Sequence, residues 1–355
     1  MTRERGRIRV LIVEDSRVAA IQLEQVLAED GRFEVVAVAG SGEDALALVP
    51  RLSPDIVLMD VQLPGMDGVE TTRRIMQTRP TPIVITSATI SNPMVTVSLD
   101  ALKAGALSVT EKPLGRRRDE FPRLARRLCQ QLAIMSEVRV VPQRHLSARP
   151  LVQASGETGR CRSAARYEIL GMVASTGGPA ALAKVLGALP REFPLPVAVV
   201  QHIGAEFTEG FAAWLDSQVP MAVRLARHGE RPASGHVYVA PGGHHLIAGQ
   251  DLLLLSNEPP VGGQRPSGTM LLQSIAASFA ERAIGVVLTG MGDDGAAGLL
   301  AMRQRGAHTI AQDEASAVVY GMPAVAARTG AARLQLPLDA IGPHLLQTAK
   351  DGRPT

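Results

Sequence analysis

Aromatic side chains are scarce in this 355-residue chain, which has one Trp, three Tyr and six Phe. Any core must therefore rest on Leu, Val, Ile and Ala. Cysteine is scarcer still. Cys129 and Cys161 stand in no CxxC or Cys/His spacing, so they read as two free thiols in a reducing compartment. Lysine is limited to Lys103, Lys112, Lys184 and Lys350; the cations are almost all arginine, and the net charge is only +3. That bias follows genome composition more readily than a nucleic-acid surface, and no DNA or RNA partner is inferred. No stretch approaches the ~18 apolar residues of a membrane span. The basic N-terminus leads into an apolar run, 8–13, that Glu14 and Asp15 cut short, so it reads as a first strand and not a signal peptide. These absences point to a cytoplasmic protein without membrane insertion.

What is present is the balance of a folded chain, with 46% hydrophobic and 20% charged residues. The length favours two domains, each with its own core. Between 8 and 138, short apolar runs (9–13, 34–39, 55–59, 82–86 and 106–109) alternate with amphipathic stretches. Five strand–helix pairs predict a parallel sheet covered on both faces. The fifth helix is expected over about 121–138, with Leu124, Leu128, Leu132 and Met135 on one face. Residues 139–166 are rich in Arg, Pro, Ser and Gly and read as a linker. A second αβ pattern follows, with strand runs at 168–174, 197–201, 236–240, 251–255, 283–289 and 309–312. Helical patterns fall at 179–189, 209–217, 270–280 and 295–305. The expected division is a first domain over 7–138, the linker over 139–166 and a second domain over 167–348.

Polar groups gather at the predicted strand ends of the first domain: Glu14 and Asp15, then Asp60, Thr86 and Lys112. In a doubly wound sheet these ends converge at one edge. Three carboxylates there are hard oxygen ligands suited to Mg²⁺. With the cation in place, Asp60 is free to act as nucleophile, Thr86 to donate to a phosphoryl oxygen, and Lys112 to supply a compact positive charge. The stretch resembles response-regulator receiver domains over about 7–138. The motifs that carry this are Val13-Glu14-Asp15-Ser16, Met59-Asp60-Val61, Leu63-Pro64-Gly65-Met66-Asp67-Gly68, Thr86-Ser87-Ala88 and Glu111-Lys112-Pro113. The resemblance implies a flavodoxin-like (βα)5 fold in which Asp60 accepts a phosphoryl group from a histidine kinase. It further implies Mg²⁺ held by Glu14, Asp15 and Asp60, and a switch at Thr86 and Lys112. Val109 stands where receivers carry an aromatic, so a rotating ring there cannot be the switch element.

The second domain offers a hydroxyl, an imidazole and a carboxylate at three further strand ends: Ser175, His202 and the pair Asp293-Asp294. Acyl transfer needs such a nucleophile, base and orienting acid. The glycine-rich turns at 177–178 and 290–292 would supply backbone donors to an oxyanion. Singly the signals have plain alternatives. A Ser before Gly-Gly is also a turn or a phosphate cradle, and Gly-Met-Gly-Asp-Asp-Gly is also a loop or a cation site. The nucleophile elbow Gly-x-Ser-x-Gly is not met, because Val173 stands where its first Gly belongs.

Five motifs bring the second domain close to the chemotaxis protein-glutamate methylesterase family over about 167–345. They are Ala174-Ser175-Thr176-Gly177-Gly178-Pro179, Val200-Gln201-His202, Tyr238-Val239-Ala240-Pro241-Gly242-Gly243-His244-His245, the segment from Leu288 to Gly298, and Gln312-Asp313-Glu314-Ala315-Ser316. The order Ser…His…Asp differs from that of α/β-hydrolases. The resemblance implies a doubly wound α/β catalytic domain with Ser175 as nucleophile, His202 as base and Asp294 as orienting acid. Thr176, Met291 and Arg265 are candidates for the oxyanion or substrate, and His244 and His245 are cleft residues or solvated loop. Two departures stand out: Val173 where the family has Gly, and Gly268-Thr269 in Arg265-Pro266-Ser267-Gly268-Thr269 where it tends to have Val-Asp. The first is expected to alter the bend before Ser175, and the second to remove a carboxylate near the substrate rim.

The function so implied is a monomeric, phosphorylation-activated esterase. It would hydrolyse glutamate methyl esters on the cytoplasmic helices of methylated chemoreceptors and deamidate glutamines there by the same acyl chemistry. Mg²⁺ would serve the receiver, and the hydrolytic step would need no cofactor. At rest the receiver is expected to pack over the catalytic cleft. The competing reading is a phosphorylation-dependent scaffold whose esterase domain is degenerate.

Overall fold

The computed structural model describes residues 6–87, 100–102, 104–113, 121–138, 140 and 167–351. The expected linker, apart from Val140, and Cys161 lie outside these residues. The first sheet holds β1 (Ile8–Val13), β2 (Phe33–Ala39), β3 (Ile56–Asp60), β4 (Ile83–Ser87) and β5 (Ser108–Glu111) in the order β2-β1-β3-β4-β5. Every pairing is parallel, which is the expected flavodoxin-like winding. Helices α1 (Arg17–Asp30), α2 (Gly42–Leu52) and α3 (Gly68–Thr78) each start on a short polar side chain. Ser16, Ser41 and Asp67 accept from the backbone N–H of Ala19, Asp44 and Glu70, satisfying a donor the helix cannot satisfy itself. In α4 (Phe121–Met135) the side chains of Leu124, Leu128, Leu132 and Met135 are all buried, as their spacing predicts. The fifth strand lies two residues beyond its expected place. Ala106 and Leu107 complete the turn before it, and the polar Thr110 and Glu111 pair with Thr86 and Ser87.

The second sheet is larger. It contains β6 (Ile169–Ala174), β7 (Val197–Gln201), β8 (Ala222–Leu225), β9 (His236–Val239), β12 (Ala283–Val287), β13 (His308–Gln312) and β14 (Leu334–Leu336), in the order β14-β13-β12-β6-β7-β9-β8. All of these are parallel, and β10 (His245–Ala248) with β11 (Leu253–Ser256) forms a separate antiparallel hairpin. The connecting helices are α5 (Gly178–Gly187), α6 (Thr208–Gln218), α7 (Gly268–Phe279), α8 (Ala296–Gln304), α9 (Met322–Arg328) and α10 (Leu338–Asp351). The chain leaves β6 toward β7 on one side and later returns through β12 on the other. This reversal opens a crevice at the carboxyl ends of β6, β7 and β12, the place where open α/β sheets bind ligands. The central strands β6, β7 and β12 are buried throughout, which is why they read as unbroken apolar runs. Leu170, Met172, Val197, Val199 and Val286 are each at most 1% exposed, and burying such a side chain contributes about 1.5–3 kcal/mol. Among the described residues no helix is long and apolar enough to cross a membrane.

Cys129 and His308 are buried away from the carboxyl ends of the strands. Cys129 on α4 is a free thiol pushed up to about 12, chiefly by burial and further by Asp30, so it is chemically inert. His308 opens β13, with its Nε2 2.9 Å from Nε2 of His344 on α10. Burial first, then the charges of His344 and Arg333, push His308 down to about 4. An unfolded histidine takes up its proton near pH 6.5, before the folded one does. The stability held by neutral His308 is therefore complete above about pH 6.5 and drains away as the pH falls toward about 4. The urea midpoint, followed by fluorescence of the single tryptophan, Trp214, should fall between pH 7 and 4.5, and His308→Gln should flatten that fall. Parallel profiles for the two proteins would show that His308 does not contribute.

Candidate active site and acidic pocket

Parallel register brings the acidic groups of the first sheet together. Asp60 ends β3 opposite Thr86 on β4, and Glu14 and Asp15 follow the end of β1. Carboxylate oxygens of Glu14, Asp15 and Asp60 lie within 4.8 Å of one another, with Asp15 exposed and the other two buried. Lys112 Nζ reaches Glu14 Oε2 and Asp60 Oδ2, each at 2.6 Å. The backbone N–H of Gln62 donates to Asp60 Oδ1 at 3.2 Å, and Thr86 Oγ1 donates to the carbonyl of Met59 at 3.3 Å. Burial raises the Glu14 carboxyl above its ordinary range; Lys112 opposes this, and the Asp60 charge adds to it. Among the described residues one ammonium faces three close carboxylates, which leaves an excess of negative oxygen, the donor set a small hard cation prefers.

In the second sheet, Ala174 pairs with Gln201. Ser175 and His202 are thus the next residues on two adjacent strands. The N–H of His202 donates to the carbonyl of Ala174 at 3.0 Å, and that of Ser175 to the carbonyl of Thr289 at 3.0 Å. Gly177 turns the chain at φ 74°, a left-handed conformation that suits glycine, and α5 starts on the next residue with Pro179 in its first turn. His202 Nε2 lies 2.8 Å from Asp294 Oδ2, both side chains being under one-tenth exposed. Three further donors converge on this carboxylate: Ser267 Oγ (2.8 Å) and Thr269 N (2.9 Å) on Oδ1, and Gly268 N (2.6 Å) on Oδ2. Burial alone would raise the Asp294 carboxyl. The hydrogen bond and charge of His202, together with Thr269, outweigh that and hold it well below the usual range. Asp294 is therefore an anion that fixes the imidazole and leaves Nδ1 as the ring nitrogen open to a proton. Among the described residues the Ser175 hydroxyl makes no hydrogen bond to His202. The two side chains share instead one cavity of about 730 Å³ that Thr176, Met291 and Arg265 also line. The other wall of this cavity comes from the first half of the chain and includes Val109, Glu111, Arg127 and Gln131.

Comparison with known proteins decides what this arrangement belongs to. Residues 170–345 match the family model for the CheB methylesterase, and residues 10–119 match that for the response regulator receiver domain. The chain is 46% identical over 351 residues to "Protein-glutamate methylesterase/protein-glutamine glutaminase 2" of Paramagnetospirillum magneticum, covering 98% of this chain and 99% of that one. It is 44% identical over 345 residues to "Protein-glutamate methylesterase/protein-glutamine glutaminase 1" of Syntrophus aciditrophicus, covering 96% and 98%. This chain belongs to the CheB methylesterase family. The solved catalytic domain of the Thermotoga maritima CheB methylesterase is 35% identical to it, with a TM-score of 0.50, and spans 51% of this chain and 98% of that structure.

For a CheB methylesterase the two departures in sequence take on a different meaning. Gly268 and Thr269 do not sit on a substrate rim. They form the first turn of α7, where both backbone N–H groups and the Ser267 hydroxyl point at Asp294, so the expected loss of a rim carboxylate is not what the structure shows. His245 is likewise no cleft residue. It is wholly buried in β10, where Nδ1 accepts from the N–H of Ser267 and Nε2 meets the carbonyl of Pro259, each at 3.1 Å. Sequence reasoning also missed Gln201, whose Nε2 donates to the carbonyls of Ser175 (2.7 Å) and His202 (3.0 Å) and ties the two turns together. It missed Thr289 as well. The Thr289 hydroxyl donates to the carbonyl of Thr176 (2.9 Å) and accepts from the N–H of Val319 (2.8 Å), fixing the 289–292 turn against the 318–322 segment. Gln201 ends β7 and Thr289 follows the end of β12 by two residues, and only that position signals either residue.

Ser267 both caps α7 and donates to a buried anion. Ser267→Ala should therefore lower stability by about 1–3 kcal/mol and reduce kcat several-fold while KM holds. Urea unfolding and steady-state kinetics check this; wild-type values in both would show the hydroxyl to be idle.

Proposed function

We propose that this chain hydrolyses glutamate methyl esters on chemoreceptor cytoplasmic helices, under control of phosphorylation at Asp60. The observation that carries the reading is the buried His202–Asp294 pair opening into the cavity that holds Ser175, in a chain aligned end to end with methylesterase relatives. In the first step Ser175 Oγ attacks the ester carbonyl and His202 Nδ1 takes the hydroxyl proton. The imidazolium so formed is stabilised by Asp294. Backbone donors of the Thr176–Gly177 and Met291–Gly292 turns stabilise the oxyanion. Collapse of the adduct breaks the carbon–methoxy bond, and His202 returns its proton to the departing oxygen as methanol. A water then attacks the Ser175 ester with His202 again as base, releasing glutamate and restoring Ser175. With glutamine in place of the ester the same steps expel ammonia, in keeping with the glutaminase in the relatives' names. Arg265 lies on the substrate side of the cavity, where its guanidinium also donates to the carbonyls of Asn257 and Glu258. The hydrolytic step calls on water, these side chains and these backbone donors.

In the receiver, Glu14, Asp15 and Asp60 would hold Mg²⁺, which when bound offsets the charge of an incoming phosphoryl group. Asp60 Oδ accepts the phosphoryl group from a histidine kinase, Lys112 counters the added charge, and Thr86 donates to it. Because receiver residues form one wall of the catalytic cavity, phosphorylation acts by shifting the population in which that wall is displaced. The protein works as a cytoplasmic monomer, and its domains follow the division 7–138, 139–166 and 167–348. The scaffold reading rests on the departures at Val173 and Gly268-Thr269, and the backbone N–H groups of the latter pair support the enzyme reading by holding Asp294.

Methanol release from methylated receptor membranes tests both halves. Ser175→Ala should lower the rate by at least about 10³-fold, and unchanged release would sink the nucleophile assignment. A small phosphodonor should stimulate the wild type but not Asp60→Asn; equal stimulation of the two would remove Asp60 from the switch.

A further inference from the structure

Val173 lies two residues before Ser175 on β6 and is wholly buried. Its side chain fills the space that any side chain at position 268 would enter. A Cβ built on Gly268 would overlap Val173 Cγ1 and stand 2.8 Å from Cγ2. On its other flank the valine touches Gly295, where an added Cβ would meet Val173 Cγ1 at 3.2 Å. These two glycines bracket Asp294. The N–H of Gly268 donates to Asp294 Oδ2, and the N–H of Gly295, the next residue in the chain, donates to Thr269 Oγ1 at 2.8 Å. The valine is thus wedged between the strand that carries the nucleophile and both backbone segments that hold the orienting carboxylate.

We infer that Val173 and Gly268 form a size-complementary pair of positioning residues that sets the reach of Asp294 to His202. The inference rests on the reading of Ser175, His202 and Asp294 as the catalytic triad. A core at this density cannot absorb a displaced methyl group without moving a neighbour. A side chain at 268 must push the first turn of α7 away from β6, and the Gly268 N–H leaves Asp294 with it. Removing the valine instead leaves a void under the same turn. Exchanging both residues conserves the packed volume, so the turn can return. The two sequence departures, at positions 173 and 268, are then a single exchange of bulk across one contact.

The test is a double-mutant cycle in the full-length protein: Val173→Gly, Gly268→Val and the two combined, with Asp294→Asn as reference. Methanol release gives kcat and KM, and proton NMR of the ring N–H shared by His202 and Asp294 reads the pair without turnover. Gly268→Val should lower kcat about 30- to 100-fold with little change in KM and should shift or lose that resonance; the double variant should recover most of both. Should Gly268→Val not fold, Gly268→Ala with Val173→Ala reads the same coupling. Strictly multiplicative effects, or a wild-type resonance in Gly268→Val, would overturn the pairing. Full activity in Asp294→Asn would overturn the triad reading itself, whereas loss of activity there with an additive cycle would refute only the pairing.

Discussion

A single buried carboxylate ties the catalytic half together. Asp294 accepts hydrogen bonds from His202 after β7, from Ser267 before α7 and from the first two N–H groups of that helix. A carboxylate this deeply buried is unfavourable unless its lone pairs are occupied and a positive end faces it. Here both hold, because the helix N-terminus presents its free donors and its dipole to the charge. The carboxylate in turn makes three chain segments, far apart in sequence, into one rigid unit. Ser175 is added to that unit through Gln201 and Thr289, which hold the carbonyls of Ser175 and Thr176.

The receiver and the catalytic sheet follow one plan. Each is a parallel sheet whose strand ends gather polar groups, and in each the chemistry stands where the winding reverses or the edge opens. The two differ in how charge is handled. In the acidic pocket, among the described residues, negative oxygen exceeds the one ammonium that reaches it, and Glu14 is raised by its burial. Around Asp294 the donors are sufficient and the carboxyl is held low. The first site is left needing cations, and the second is already satisfied.

Much of this was legible in the chain. Fully buried strands announce themselves as runs such as Ile169–Ala174, and the α4 face could be read from Leu124, Leu128, Leu132 and Met135. The residues that carry the chemistry stood at the ends of those runs. What escaped was short or depended on tertiary contact. β8, β10 and β14 have three or four residues each, too few for a period to show. Gln201 and Thr289 are ordinary polar residues until the turns they clamp are folded against one another. Gly268-Thr269 was misplaced because a backbone N–H has no signature in sequence; only the fold shows that it is this atom, and not the side chain, that meets Asp294. Val173 looked like a defect in a turn when considered without the glycine it packs against.

The cavity between the two halves has a consequence in simple geometry. An α-helix with its side chains is about 10 Å across, and the receiver residues Arg127 and Gln131 stand across this cavity from Arg265 and Met291. A receptor helix is a continuous rod, and no such rod can fold a short piece of itself into a cleft walled on both sides. Its modified side chain reaches Ser175 only if the rod can lie across an open trough. A cleft walled on both sides thus admits water and small esters more readily than a helix, and exclusion of the helix needs no dedicated plug.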